Sequence, residues 1–145
     1  MLRRLAYVCL FVVLAGCASG LSERRARVLA SAEALIGTPY RWGGTDRSGL
    51  DCSGLVQLSY AEAGLHVPRT TTALLRDGRP AADPEPGDLL LFSENEPGKP
   101  THVGIYAGDG RMIHASSRGG RVLKSSLDTP YWRRNLIGCV RYLDG

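Results

Sequence analysis

The sequence predicts one α+β domain, with helices first and an antiparallel sheet after them. Three observations lead there. Helix-period segments fall in the first half of the chain, short strand-like runs between turn residues fill the second, and the usable length suits a single core. The 145 residues begin with Arg3 and Arg4 ahead of an apolar stretch, Leu5 to Ala15. That stretch is too short for a membrane span and has the form of an export signal. Setting aside residues 1–16 leaves 129 of the 145, enough for one domain and not two.

Residues 18–22 read as a tether of small residues. From Ser22 to Ile36, Val28, Leu29, Ala32, Leu35 and Ile36 share one helical stripe that stops at Gly37, which predicts the first helix. Thr38 to Gly44 is a loop whose paired glycines permit close backbone approach, and it leads through Thr45–Leu50 into Asp51-Cys52-Ser53-Gly54. The apolar run Leu55 to Ala63, stopped by Gly64, predicts a second helix with Cys52 at its start. Val67 to Asp88 is loop-rich, with Pro68, Pro80, Pro84 and Pro86, and holds a short helix over Thr70 to Arg76. Strands are expected at 88–93, 102–107, 111–116, 121–124 and 136–143, with a polar loop from Glu94 to Pro100.

The net charge of +4 falls to +2 once Arg3 and Arg4 leave with the leader, giving 16 Lys and Arg against 14 Asp and Glu. These basic residues are scattered and no pattern of stacking aromatics accompanies them, which gives nucleic-acid binding no support. Of four cysteines, Cys9 belongs to the leader and Cys139 lies in the apolar run Leu136 to Leu143, where it reads as a small buried hydrophobe. No Cys-x-x-Cys pair is present for zinc or redox chemistry, and Cys52, His102 and His114 lack the spacing of a zinc signature, so no metal or organic cofactor is expected.

Cys52 stands out because the free N–H groups and positive dipole end of a helix favour a thiolate over a thiol. Asp51 before it is a natural helix cap. His102 opens the alternating run to Ala107, and His114 sits in the next strand beyond Gly108-Asp109-Gly110. Side chains alternate faces along a strand, so register decides whether the two histidines meet. Pairing Ala107 with Arg111 across a three-residue turn puts His102 opposite Ser116 and His114 diagonal to it on the same face. A two-residue turn at Asp109-Gly110 separates them unless a bulge intervenes. Either the longer turn or a bulge is therefore expected, with Gly110 at positive φ.

Two resemblances extend this reading. Leu14-Ala15-Gly16-Cys17 resembles the bacterial lipobox, which implies lipidation of Cys17 after removal of residues 1–16, a tether over 17–22 and a domain over 23–145. Multiple acyl chains exceed the threshold for stable membrane attachment. Ala18 after the cysteine implies an outer-membrane lipoprotein facing the periplasm, or the cell membrane in a Gram-positive cell. Tyr40-x-x-Gly43-Gly44, Asp51-Cys52-Ser53-Gly54, Pro68-Arg69-Thr70, Pro86-Gly87-Asp88-Leu89 and His102-Val103-Gly104-Ile105-Tyr106, with the later His114, occur in order. In this set the chain resembles the NlpC family of papain-like cell-wall cysteine peptidases.

The resemblance implies a minimal papain-like fold, with the nucleophile at a helix N-terminus packed on a small antiparallel sheet. It implies peptidoglycan stem peptides as substrate, Cys52 as nucleophile, His102 as base and His114 as the group that orients His102. It makes Tyr40 a phenol donor near the oxyanion, with a packing aromatic as the alternative. Asp51 and Ser53 become substrate contacts for a stem-peptide amine. Arg69 either binds a substrate carboxylate through its planar fork or makes a structural salt bridge. Leu74 stands where many relatives have glutamine, a difference placed in the groove. The expected activity is a membrane-anchored endopeptidase on the D-alanyl–diaminopimelate cross-link. The competing readings are cleavage of the γ-D-glutamyl–diaminopimelate bond, a non-catalytic wall-binding lipoprotein, and an amidase or acyltransferase on the same core.

Overall fold

The computed structural model describes residues 20–143; the expected leader over 1–16 and Cys17 lie outside the described residues. Helix α1 covers residues 20–34, so residues 20–22, assigned above to the tether, are already helical. The reason is Leu21, which continues the buried stripe of Val28, Ala32 and Leu35 and packs against the same core. Ile36 leaves that stripe. It is 41% exposed because the helix has ended and the chain turns toward the sheet, where the Gly37 N–H donates to the Val122 carbonyl.

A hairpin of two-residue strands, β1 (Thr45–Asp46) and β2 (Gly49–Leu50), precedes α2 (Cys52–Ala61). Helix α3 spans Thr71–Asp77 with Thr70 as its cap. The sheet strands are β3 (Arg79–Pro80), β4 (Leu89–Phe92), β5 (His102–Gly108), β6 (Arg111–Ser116), β7 (Arg121–Ser126) and β8 (Leu136–Arg141). They pair antiparallel in the order β3-β8-β4-β5-β6-β7. A further helix, α4 (Pro130–Asn135), was not expected from apolar periodicity; its signal is Thr129 as cap followed by Pro130 in the first turn.

Alternation along the strands divides the interior into two layers. Leu89, Leu91, Val103, Ile105, Ile113, Ala115 and Val140 pack with α1 and α2 into the main core. Leu90, Phe92 and Met112 face the opposite side, where Trp132 of α4, Tyr106, Leu127 and Cys139 cover them. Cys139 is thus a free, half-buried thiol in apolar surroundings, and burial pushes it up to about 11. Leu74 is fully buried in the main core, which corrects its placement in the groove.

Two polar anchors fix the helices to the sheet. The fully buried Asp88 carboxylate accepts from Arg25 of α1 at 3.1 Å and from Arg141 of β8 at 2.7 Å, and Tyr60 of α2 donates to the Gly87 carbonyl at 2.5 Å. A buried carboxylate held by two guanidiniums is tolerable because both the charge and its lone pairs are matched.

The start of α2 is fitted against the loop before it. The Asp51 N–H donates to the Gly44 carbonyl at 3.1 Å, and a Cβ added at Gly54 would lie 2.0 Å from that same oxygen. Only a residue without a side chain lets the helix approach this closely. Gly54→Ala is therefore expected to force the loop and helix apart, lowering stability by about 1–3 kcal/mol and reducing activity at the adjacent Cys52. Thermal melts and kcat/KM check it; a variant with unchanged melting and turnover would show that the contact is relaxed in solution.

Candidate active site

Cys52 is the first residue of α2, with Asp51 as N-cap: the Asp51 carboxylate accepts from the Gly54 N–H at 2.7 Å and from the Gly43 N–H at 3.1 Å. Arg69 closes on Asp51 as a fork, Nη1 to Oδ1 at 3.0 Å and Nη2 to Oδ2 at 2.7 Å, and Nη1 also donates to Ser53 Oγ. Of the two readings of Arg69, the structure displays the salt bridge. Its fork holds the cap that holds the cysteine. Asp51, Ser53 and Arg69 nonetheless line one cleft with Cys52, together with Tyr40, Trp42, Thr70, Glu94 and His102. That cleft has a volume of about 630 Å³.

His102 and His114 meet as the register argument required, by the bulge and not by the longer turn. Ile105 pairs with Ile113 and Tyr106 with Met112, after which Gly108 pairs with Arg111, so Ala107 is the extra residue. The hairpin is closed by Asp109 at φ 51° and Gly110 at φ 67°, the positive values a tight two-residue turn requires. The bulge absorbs the one-residue slip that would have separated the rings. His102 Nε2 lies 2.8 Å from His114 Nδ1, and His114 Nε2 lies 3.0 Å from Ser125 Oγ on β7.

One of the two tautomer arrangements that these contacts allow leaves a base free. If His102 Nε2–H donates to His114 Nδ1, then His114 Nε2–H donates to Ser125, and His102 Nδ1 keeps a lone pair for a thiol proton. Trp132 packs on both rings: its indole stacks on His102 at 5.7 Å and 22° and meets His114 edge-on at 5.1 Å and 86°. The histidines are 7% and 3% exposed, and burial lowers each to about 4; the neighbouring His102 lowers His114 further.

Cys52 departs from the expectation that its helix terminus would lower its pKa. Backbone hydrogen bonds from Val103, Ser53 and its own N–H do favour the thiolate, but burial outweighs them and Asp51 opposes them, pushing the thiol up to about 11. Burial thus favours the neutral form of both groups that line the cleft, the Cys52 thiol and the His102 imidazole. Tyr40 is raised first by burial and then by its neighbours Cys52, Asp51 and Glu94, so its phenol keeps its proton. Among the described residues no cluster could hold a metal ion.

Beyond His102 the cleft continues into a pocket of about 160 Å³ lined by Glu94, His114, Ser116, Arg118, Tyr131 and Trp132, among others. Trp132, Ser125, Glu94 and Arg118 were not singled out in the sequence. Only Trp132 carried a local sign, as an aromatic just after the Thr129-Pro130 helix start.

A helix-terminal thiol and an imidazole–imidazole–hydroxyl chain opening on one groove form the parts needed for acyl transfer through a thioester. Residues 37–141 match the NlpC/P60 family. The chain belongs to that family. It is 40% identical over 114 residues to the murein DD-endopeptidase MepH of Escherichia coli, covering 74% of this chain and 42% of MepH. To the bifunctional muramidase/DL-endopeptidase CwlT of Bacillus subtilis it is 42% identical over 109 residues, 72% of this chain and 32% of CwlT. The chain thus spans less than half the length of each of these relatives. The crystal structure of an NlpC/P60 family protein from Bacillus cereus superposes with a TM-score of 0.78 at 32% identity, over 83% of this chain and 40% of that one. With these likenesses the papain-like α+β fold expected above is established.

Proposed function

We propose that the protein is a membrane-anchored peptidoglycan endopeptidase that hydrolyses stem-peptide bonds by a cysteine–histidine mechanism. The observation that carries this reading is the convergence of Cys52 and the His102–His114–Ser125 chain on one cleft. His102 takes the thiol proton as sulfur attacks the carbonyl, and returns it to the leaving amine; backbone N–H groups at the start of α2 and the Tyr40 phenol receive the oxyanion. Water then cleaves the thioester. His114, held by Ser125, orients His102 without adding negative charge. Asp51, Ser53 and Arg69 form the floor that a stem-peptide amine or carboxylate would touch.

The D-alanyl–diaminopimelate cross-link, which joins two D-centres, is the favoured bond, and the DD-endopeptidase name of MepH supports it. The DL-endopeptidase name of CwlT supports the alternative, cleavage at γ-D-glutamyl–diaminopimelate. Lipidation at Cys17, with placement in the outer membrane facing the periplasm, belongs to the same proposal and rests on Leu14-Ala15-Gly16-Cys17. Loss of the protein from membranes on Cys17→Ser would support it.

The full chain in detergent and its Cys52→Ala variant, each incubated with purified cross-linked muropeptides and followed by mass spectrometry, test the reaction. Dimers converted to intact monomers only when Cys52 is present establish cross-link cleavage. Products cut within stems move the assignment to the γ-D-glutamyl bond. Equal absence of products from both proteins identifies a binding protein that keeps the groove.

A further inference from the structure

The cleft has two arms that meet at His102. One surrounds Cys52 and the start of α2; the other passes His102 and is lined by His114, Ser116, Arg118, Tyr131 and Trp132. In a thiol-dependent cleavage the acyl carbon is bonded to sulfur, while the departing nitrogen must lie against the imidazole that protonates it. Its substituents therefore project past His102 into the second arm.

That arm carries charge in a definite order. Glu94 lines both arms and so stands at their junction, where Tyr131 donates to its carboxylate at 2.5 Å. Arg118 lines only the outer arm, its guanidinium carbon 5.8 Å from the centroid of the Tyr131 ring. Tyr131 thus separates the two charges, its hydroxyl on one and its ring face under the other. Arg118 makes no ion pair with any described residue. Its loop is nevertheless built: Ser116 pairs with Arg121 across the β6–β7 hairpin, and the Gly119 N–H donates to Ser116 Oγ at 2.9 Å.

We propose that this arm binds the leaving side of the scissile bond as an α-amino acid, with Arg118 receiving its free α-carboxylate and Glu94 facing the amine as it gains its proton. The inference rests on the endopeptidase reading above and selects between its two bonds. At the cross-link, the leaving nitrogen is on the D-centre of diaminopimelate, whose carbon bears a free carboxylate. At the γ-D-glutamyl bond of a tetrapeptide stem, the carbon beside the leaving nitrogen carries an amide, which offers a guanidinium no charge. In the step itself the amide C–N bond breaks and a C–S bond forms. The Cys52 proton passes through His102 to the departing nitrogen, and water later returns the thiol and releases the acyl half as a carboxylic acid.

The full chain in detergent and its Arg118→Gln and Arg118→Lys variants are assayed on tetrapeptide dimers with the diaminopimelate D-centre either free or amidated. The wild type is expected to prefer the free carboxylate. Arg118→Gln should lose about 10- to 100-fold in kcat/KM on that substrate, chiefly through KM, as expected for a charge-assisted contact. It should cleave the amidated dimer as the wild type does, and Arg118→Lys should recover part of the loss. Cleavage of both dimers at one rate by the wild type, or an unchanged preference in Arg118→Gln, overturns the assignment of Arg118 while leaving the endopeptidase intact. Wild-type products cut only within stems, or no products, remove the cross-link reading and this inference with it.

Discussion

His102→Ala is expected to lower kcat/KM on cross-linked muropeptides by about 10⁴- to 10⁶-fold, close to the loss in Cys52→Ala. Burial raises the Cys52 thiol, so in the proposed mechanism attack depends on a base in the cleft, the role given to His102. A neutral imidazole lowered to about 4 is a weak base in isolation. In the proposed mechanism it becomes effective because the imidazolium formed during attack is stabilised by His114 Nδ1 at 2.8 Å and by the charge developing on substrate. His114→Ala should accordingly cost less, about 10²- to 10³-fold, and mainly in kcat. His114→Asn, which can keep an acceptor toward His102, should recover part of it. The double variant should be no slower than His102→Ala alone, because the residues act as a unit. Both side chains are buried, so circular dichroism must show each variant folded. Additive losses in the double variant would mean that His114 serves the reaction independently of His102.

The fold and the meeting of the two histidines were legible for specific physical reasons. The Asp51-Cys52-Ser53-Gly54 stretch showed its place at a helix start because the Asp51 cap and the side-chain-free Gly54 each answer a local requirement there. The histidines were legible through strand parity, which demanded a longer turn or a bulge; the structure supplies the bulge at Ala107. Helix α3 and the five main strands lie within a few residues of their expected places. What local pattern did not disclose depends on tertiary placement. Trp132 comes to the histidines because α4 lies across the sheet face opposite α1 and α2, and nothing near residue 132 encodes that. Glu94 and Arg118 come from two loops brought together only when β5, β6 and β7 pair. The Cys52 pKa was misjudged for the same reason: the helix terminus is visible in sequence, whereas the burial that overrides it is not.

Stability should fall steeply in mild acid, and the histidine pair is the cause. Both rings are neutral when folded and lowered to about 4, against 6.5 for an exposed imidazole. Above pH 6.5 neither state takes up protons at these positions and the stability is fully present. As pH falls below 6.5 the unfolded chain binds two protons that the folded chain refuses until about pH 4, so the balance shifts toward unfolding throughout that window. By pH 4.5 the loss is about 2–3 kcal/mol for each histidine, a large part of the stability of a small domain. Asp46 and Asp77 are lowered below their ordinary 3.8 and contribute little in this range. Urea unfolding at steps from pH 7 to 4.5 measures the effect, and His114→Gln should roughly halve the slope because it removes one of the two refused protons. A stability independent of pH across this range would mean that water reaches the imidazoles past Trp132. The proposed activity adds a second reading of the same titration: the folded protein should keep its kcat/KM down to about pH 4 or 5, so inactivation nearer pH 6 that reverses on neutralisation would place proton uptake on His102 in the folded state.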